Sequence, residues 1–506
     1  MADPNRLNGW DADWSGLRVV VTGLGLSGFS AADTLIELGA RVVVVDGNDS
    51  EENRQRADTL RIVGAADILL GAGQQDQLPL IDGEAPELVV TSPGWNPRQP
   101  LIAAATDAGI PVWGDVELAW RVREREGRRT AEWLVLTGTN GKTTTVSMAE
   151  SMLRAAGLRA LAVGNVGTPI LDAIRDPQGF DVLVVELSSF QLHYTYTMSP
   201  LASAVLNIAE DHVDWHGSFE EYQAAKARIY ERTRVAAVFN ADAPVTMRMV
   251  EDADVVEGCR AIGFTTGVPA RSMVGLAEGL LVDRAYLEDR ANSAIELATI
   301  DDVGEVAARH NVANALAAAA LVRAYGVPAD AVRDGLRAYQ PGDHRIQAVA
   351  RRDDILWIND SKATNPHAAA ASLGSFRSVV WIAGGLSKGV EYDALVAEHA
   401  DRLRAVVLIG ANTDDLEAAL REHAPDVPVL PASVRDTGGA GPSDASTGSG
   451  VRVMAQAVEL AAEAAQPGDT VLMAPAAASM DQFASYAQRG NAFIEAVRGL
   501  MERPAS

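Results

Sequence analysis

Trp133-Leu134-Val135-Leu136-Thr137-Gly138-Thr139-Asn140-Gly141-Lys142-Thr143-Thr144 joins an apolar run of strand length to a glycine loop and a lysine. A helix is expected to follow from about Thr145. In a strand–loop–helix unit of this kind, backbone N–H groups cradle phosphate oxygens. Lys142 can reach the β/γ-phosphates and Thr143 can ligate magnesium. Leu136 stands where the common GxxxxGK[ST] form has its first glycine. An isolated Gly-Lys-Thr is common by chance, whereas a complete TGTNGKTT between a strand and a helix is not. The competing reading is a tight turn without a ligand.

Two further strand-like runs in the same block end in polar residues. Residues 181–185 lead into Glu186-Leu187-Ser188-Ser189-Phe190-Gln191, and residues 203–206 lead into Asn207, Glu210, Asp211, His212, Asp214 and His216. Ligands of open α/β sheets lie at the C-terminal strand edge. Glu186 is therefore expected to face the phosphates and hold magnesium. The His212 cluster suits oxygen-rich metal ligation, with a histidine as ligand or proton carrier. A capping glutamate and a solvated polar loop are the plainer alternatives. Helix-like residues 219–232 set Tyr222, Lys226 and Tyr230 on one face at i, i+4 spacing. Lys226 either snorkels to solvent or, if buried, becomes a neutral, reactive amine.

Beyond this block, strand-length apolar runs alternate with Ala-rich helical stretches from end to end, which predicts an α/β protein with parallel sheets. A chain of 506 residues fits about three domains. The expected blocks are 1–128, 129–341 and 342–506. The charged stretch 121–129 reads as a linker or exposed helix end, and Pro341-Gly342-Asp343 reads as a hinge. Residues 437–450, rich in Gly, Ser and Asp, read as a flexible surface loop. A net charge of -25 excludes a general attraction to nucleic acid. The single cysteine, Cys259, cannot form an internal disulfide, so a reducing cytoplasm is expected. No apolar run is long enough to span a membrane, and residues 1–14 lack the apolar core of a signal peptide.

The first block carries a second glycine loop. Residues 18–21 form a strand-like run followed by Gly23-Leu24-Gly25-Leu26-Ser27-Gly28, a helical stretch 29–38, and a run 41–45 ending in Asp46. This is a GxGxxG turn with an acid about twenty residues on, suited to a diphosphate. NAD, FAD and a UDP-sugar all fit it, as does an empty strand–helix turn. Ser92-Pro93-Gly94, after the run 88–91, is a second possible contact or an ordinary turn.

TGTNGKTT, VVELSSFQL, NIAEDHVDWHG and YQAAKARIY, in that order, resemble the Mur ligase family, whose members build the peptide of bacterial peptidoglycan. In the third block, Asn359-Asp360-Ser361-Lys362-Ala363-Thr364-Asn365, Gly384-Gly385-Leu386-Ser387-Lys388-Gly389 and Ala478-Ser479-Met480-Asp481-Gln482-Phe483 narrow the resemblance to members that add D-glutamate. The resemblance implies a Rossmann-like UDP-binding domain, a central P-loop ATPase-type domain and a Rossmann-like glutamate-binding domain. It implies ATP at Gly138, Thr139, Asn140, Gly141, Lys142, Thr143 and Thr144, with Asn311 and Asn314 near adenine, and Arg345 and Asp360 serving the nucleotide. One magnesium ion would sit on Thr143 and Glu186. A second would be served by His212 and by Lys226 carbamylated by CO₂. The UDP-substrate would meet Leu24, Ser27, Asp46, Ser92, Pro93, Gly94, Asn165, Ser188 and Gln191. Gly47-Asn48 replaces the Thr-Arg that often follows the acid in the family. D-glutamate would meet Lys362, Thr364, Lys388, Ser479, Met480 and Tyr486.

The implied reaction is ATP-dependent activation of the L-alanine carboxylate of UDP-N-acetylmuramoyl-L-alanine as an acyl phosphate, followed by attack of the D-glutamate amine. Lys142, His212, Lys226 and Arg345 would carry it. A monomer acting on small molecules, with no nucleic-acid partner and no membrane insertion, is expected. An L-glutamate-adding variant, a folate-glutamylating relative, an NAD-dependent oxidoreductase and a non-catalytic nucleotide-binding scaffold are the alternatives.

Overall fold

A computed structural model describes residues 6–165, 167–304, 307–387, 390–432 and 445–503. The first sheet contains β1 (Arg18–Thr22), β2 (Arg41–Asp46), β3 (Asp67–Leu70), β4 (Leu88–Thr91) and β5 (Val112–Gly114). Its order is β3-β2-β1-β4-β5, and every pairing is parallel. The order reverses between β1 and β4, so the turns after these strands flank the crevice where such sheets bind ligands.

The second sheet is built from β6 (Glu132–Thr137), β7 (Ala160–Gly164), β8 (Val182–Glu186), β9 (Ala202–Val205), β10 (Ala236–Asn240), β11 (Arg260–Thr265), β12 (Met273–Ala277), β13 (Leu280–Asp283) and β14 (Ile295–Thr299). Its order is β14-β13-β12-β11-β10-β9-β6-β8-β7. The pairings from β7 to β12 are parallel, and those of β12 with β13 and β13 with β14 are antiparallel. β6 lies between β8 and β9, which brings the glycine loop, Glu186 and Asn207 to one edge. Alternation along the strands explains why β6 and β8 contain so little polar sequence. Trp133, Val135, Leu183 and Val185 enter one buried cluster, while Leu134, Leu136, Val182 and Val184 enter another. The first cluster continues into Val19, Val21, Leu35 and Val116 of the first sheet's layer, so two sheets share one core.

The third sheet consists of β15 (Gln347–Arg352), β16 (Ile355–Asn359), β17 (Val379–Ala383), β18 (Leu403–Leu408), β19 (Val429–Pro431) and β20 (Thr470–Met473), in the order β15-β16-β20-β17-β18-β19. Only the β15–β16 pairing is antiparallel among its described pairings. By contact the chain divides into two compact units, Met1–Ala307 with Asn311–Tyr339, and Ala308–His310 with Gln340–Ser506. Among the described residues, no helix is long and apolar enough to cross a membrane.

Two sequence expectations require correction. Arg121 belongs to the helix Asp115–Val122 and is buried, not part of an exposed linker. Its Nε donates to Glu117 Oε1 at 2.7 Å, and the fully buried Glu117 also accepts from Tyr196 N, Thr197 N and Thr197 Oγ1. The second correction concerns 437–450. Residues 437–444 lie outside the described residues, but the helix Ala445–Ala464 already includes the last six positions. Gly450 there serves close approach, since a Cβ would fall 2.4 Å from Gln482 O.

The Glu117 network yields a stability prediction. Glu117→Ala leaves the Arg121 guanidinium buried without its carboxylate and orphans two backbone N–H groups. It should lower unfolding stability by about 3–5 kcal/mol in urea titration. A loss below about 1 kcal/mol would show that the network is not fastening the two layers.

Candidate functional site

Gly141 adopts φ +83 and starts the helix Lys142–Ala155, three residues before the sequence expectation. No side chain caps that helix, and a Cβ at Gly141 would fall 2.4 Å from Asn314 Oδ1. Only glycine therefore fits this turn, and Asn314 lies against the loop itself. The Lys142 ammonium donates to Gly138 O at 2.9 Å and Thr139 O at 3.0 Å. Thr143 Oγ1 donates to Glu186 Oε2 at 2.7 Å, and Asn165 Nδ2 donates to Glu186 Oε1 at 3.1 Å. A hydroxyl and a buried carboxylate thus meet beside a helix N-terminus. That is a fitting donor set for a hard cation next to a phosphate.

The loop is pinned from behind by residues after β9. Asn140 N donates to Asn207 Oδ1 at 2.9 Å, and Asn207 Nδ2 donates to Asn140 O at 3.0 Å. Ala209 N donates to Thr139 Oγ1, whose hydroxyl also lies 2.9 Å from Tyr222 OH.

Lys226 is buried beneath this loop. Its amine donates to Thr137 Oγ1 at 3.1 Å and Gly138 O at 3.0 Å, and lies 5.0 Å from the Tyr222 ring centroid. Burial, and next the charge of Lys142, push its pKa well below the ordinary lysine value. The buried reading of this residue holds, with one change. The α-helix stops at Ala227, so Tyr230 leaves the shared face and donates its hydroxyl to Val238 O.

His212 has φ +54 and starts the one-turn helix Val213–His216. Burial lowers its pKa, with Asp211 opposing and Lys226 adding to the shift. His216 sits deeper in the same aromatic group, its Nε2 2.9 Å from Ser189 Oγ. Its pKa falls to about 4, chiefly through burial and then the neighbouring His193. Phe190 packs against His212, Trp215 and His216.

The first glycine loop is closed on itself. Leu24 N donates to Asp46 Oδ2 at 2.6 Å and Asn48 N donates to Asp46 Oδ1 at 2.8 Å, while the Leu24 side chain is buried. Ser92 Oγ lies 3.5 Å from Gly23 O. Ser188 and Gln191 form a capping box for the short helix Ser189–His193, and Gln191 Nε2 donates to Asp115 Oδ2 at 3.2 Å. The hydroxyl of Ser27 also bonds Asp115. Two of the expected substrate contacts, Ser27 and Gln191, thereby meet an acid that the sequence reading missed, and Ser188 joins them through Gln191. An aspartate after a glycine at a helix start looks like an ordinary first-turn acid, so nothing in the sequence marked Asp115.

In the second unit, Asp360 accepts from Ile346 N and from the Ser372 hydroxyl, and burial raises its pKa to about 6. Asn359 Nδ2 lies 2.9 Å from His344 Nδ1, which seats the turn carrying Arg345. The Lys362 ammonium is 3.9 Å from the Tyr486 ring centroid. Thr364 N donates to Lys362 O at 2.8 Å. Ser479 is buried, and Met480 is exposed. Arg489, also missed, is buried and donates to Ser361 Oγ, Ser361 O and Ala477 O, tying together the two segments that hold Lys362 and Ser479. Lys388 lies outside the described residues.

Residues 17–114 match the Mur ligase MurD-like N-terminal domain, residues 136–322 the Mur ligase middle domain, and residues 344–477 the Mur ligase glutamate ligase domain. A UDP-N-acetylmuramoylalanine--D-glutamate ligase of Streptomyces coelicolor is 54% identical over 97% of this chain and 99% of its own length. One of the same name from Streptomyces avermitilis is 54% identical over 96% of this chain and 99% of its own. The chain belongs to the Mur ligase family. The fold agrees. A solved pseudomurein peptide ligase type C from Methanothermus fervidus superposes with a TM-score of 0.55 at 17% identity, covering 96% of this chain and 100% of that one.

For a member of this family, the Asp115 cluster gives a measurable pH signature. Burial raises the Asp115 pKa from 3.8 to about 6, against bonds from Gln191 and Ser27. The native state then holds this proton more tightly than the unfolded chain. Its contribution to stability is fully present below 3.8 and is lost as pH rises through about 6. Asp115→Asn removes that loss. Relative to the parent, the variant should gain on the order of 2–3 kcal/mol between about pH 4 and about pH 7 in urea unfolding. Parallel pH profiles for the two proteins would contradict the buried proton.

Proposed function

We propose that this chain is an ATP-dependent, amide-bond-forming ligase that joins the L-alanine carboxylate of UDP-N-acetylmuramoyl-L-alanine to the amine of D-glutamate. The observation that carries the reading is the Thr143–Glu186 pair at the foot of the phosphate loop, in a chain matched over nearly its whole length by ligases of that name. The reading divides the chain into a Rossmann-like UDP-substrate domain (1–128), a P-loop ATPase-type domain (129–341) and a Rossmann-like glutamate domain (342–506). It places the enzyme in the cytoplasm, in peptidoglycan precursor synthesis.

A carboxylate resists attack by an amine because its leaving group would be an oxide ion. Phosphoryl transfer from ATP gives the alanine carbonyl a phosphate leaving group, and the glutamate amine then displaces it. Residues 138–144 hold the ATP phosphates, Lys142 balances their charge, and Arg345 and Asp360 serve the nucleotide. Magnesium would supply charge neutralisation at the transferring group, and Thr143 and Glu186, already paired, would hold one ion. His212 and carbamylated Lys226 would hold a second. A depressed lysine pKa supports this modification, because only a neutral amine adds CO₂, losing a proton as the carbamate forms. Its product is an oxygen donor that a hard cation prefers. Asn165, Leu24, Ser27, Asp46, Ser188, Gln191 and residues 92–94 position the UDP-substrate. Lys362, Thr364, Ser479 and Tyr486 receive glutamate.

Phosphate release tests the reaction. It should require ATP, magnesium, UDP-N-acetylmuramoyl-L-alanine and D-glutamate together. Preference for L-glutamate would change the product, and no release from folded protein would sink the substrate assignment. Lys142→Ala should lower turnover at least about 100-fold and leave UDP-substrate binding within about twofold of the parent. Loss of that binding as well would argue against separate sites.

A further inference from the structure

The helix Val213–His216 is a single turn between His212 at φ +54 and Gly217 at φ +96. A helix this short has no stability of its own, because one turn fixes more dihedrals than its few hydrogen bonds repay. Something outside it must hold it in place. Besides the His216 ring contacts, side chains from the segment after β4 in the first sheet reach the carbonyls near its C-terminal end. Arg98 Nη2 donates to Asp214 O and Trp215 O, each at 3.2 Å, and Asn96 Nδ2 donates to Trp215 O at 3.1 Å. A guanidinium and an amide thus take up carbonyls that a helix end leaves without partners, where a cation is also favoured. A return contact closes the pair of segments, with Trp215 Nε1 donating to Gly94 O at 3.1 Å. The indole ring packs on Phe190, His193 and His216 at centroid distances of 4.8, 5.3 and 4.5 Å.

We infer that Asn96, Arg98 and Trp215 form a latch that positions His212 by capping its one-turn helix from the loop that carries Ser92, Pro93 and Gly94. The two loops then cannot move independently. A substrate that settles on 92–94 sets the orientation of His212, and a displaced 92–98 segment releases it. Asn96, Arg98 and Trp215 are positioning residues, since they act through His212 and the loop backbone. The catalytic half of this inference rests on the ligase reading above, and the capping half does not.

Amide hydrogen exchange and steady-state kinetics on the full chain separate the two. In Asn96→Ala/Arg98→Ala, the amides of His216 and Gly217, which donate to His212 O and Val213 O, should exchange at least about 10-fold faster than in the parent. Amides of Lys142–Ala155 should be unchanged, and the unfolding midpoint should stay near that of the parent. With the proposed substrates, kcat should fall roughly 10- to 100-fold while KM for ATP stays within about twofold. Arg98→Lys, which keeps a cation at the helix end, should recover most of the exchange protection and rate. Trp215→Phe keeps the ring, loses the bond to Gly94 O, and should show an intermediate loss of kcat. Unchanged exchange at His216 and Gly217 would overturn the latch. Faster exchange with unchanged kcat would overturn its role in positioning. A parent protein that turns over none of the proposed substrates would instead refute the ligase reading, and the exchange result would still decide the capping.

Discussion

A lysine amine buried beneath a phosphate loop is the constraint from which the rest of the site follows. Lys226 reaches Thr137 and Gly138, the last residue of β6 and the first of the loop. Removing a cation from water is costly, so the amine is driven toward its neutral form. The fold tolerates this because the amine still finds two oxygens, and because Tyr222, one turn earlier, fastens the same loop through Thr139. The glycine loop is thus held from behind by a buried amine and a phenol hydroxyl.

Around that point the architecture brings three strand ends together. The glycine loop comes from β6, Glu186 closes β8 and Asn207 follows β9. These strands are neighbours only because the order of the second sheet places β6 between the other two. The first sheet contributes through a shared core and through Glu117, Asp115 and the 94–98 segment, each fastened to residues that follow β8 or β9. One packed layer therefore joins the first glycine loop to the phosphate loop.

Much of this was legible because the responsible residues are contiguous. The strand β4 begins and ends where the run 88–91 does, and the glycine loop declares itself through Gly141 and Lys142. Thr143 and Glu186 are far apart in sequence; strand-end logic turned Glu186 toward the glycine loop, and the family resemblance set the two on one ion. Asp115 and Arg489 were not legible. Each is a charged residue in an amphipathic helix, and only tertiary burial separates it from an ordinary surface charge. Arg121 failed for the same reason, since a run of arginines and glutamates reads as solvated until one pair turns inward. Gly450 misled in another way. Glycine signals flexibility in a sequence of serines and aspartates, but here it allows a helix to meet the Gln482 carbonyl.

The central claim is that the alanine carboxylate is activated by phosphoryl transfer before the amide forms. It is tested most directly by following oxygen. UDP-N-acetylmuramoyl-L-alanine labelled with oxygen-18 in its carboxylate would be turned over with ATP, magnesium and D-glutamate, and the released phosphate examined by mass spectrometry. Displacement of an acyl phosphate leaves one labelled oxygen in each phosphate released. Amide product accompanied by unlabelled phosphate would contradict the account.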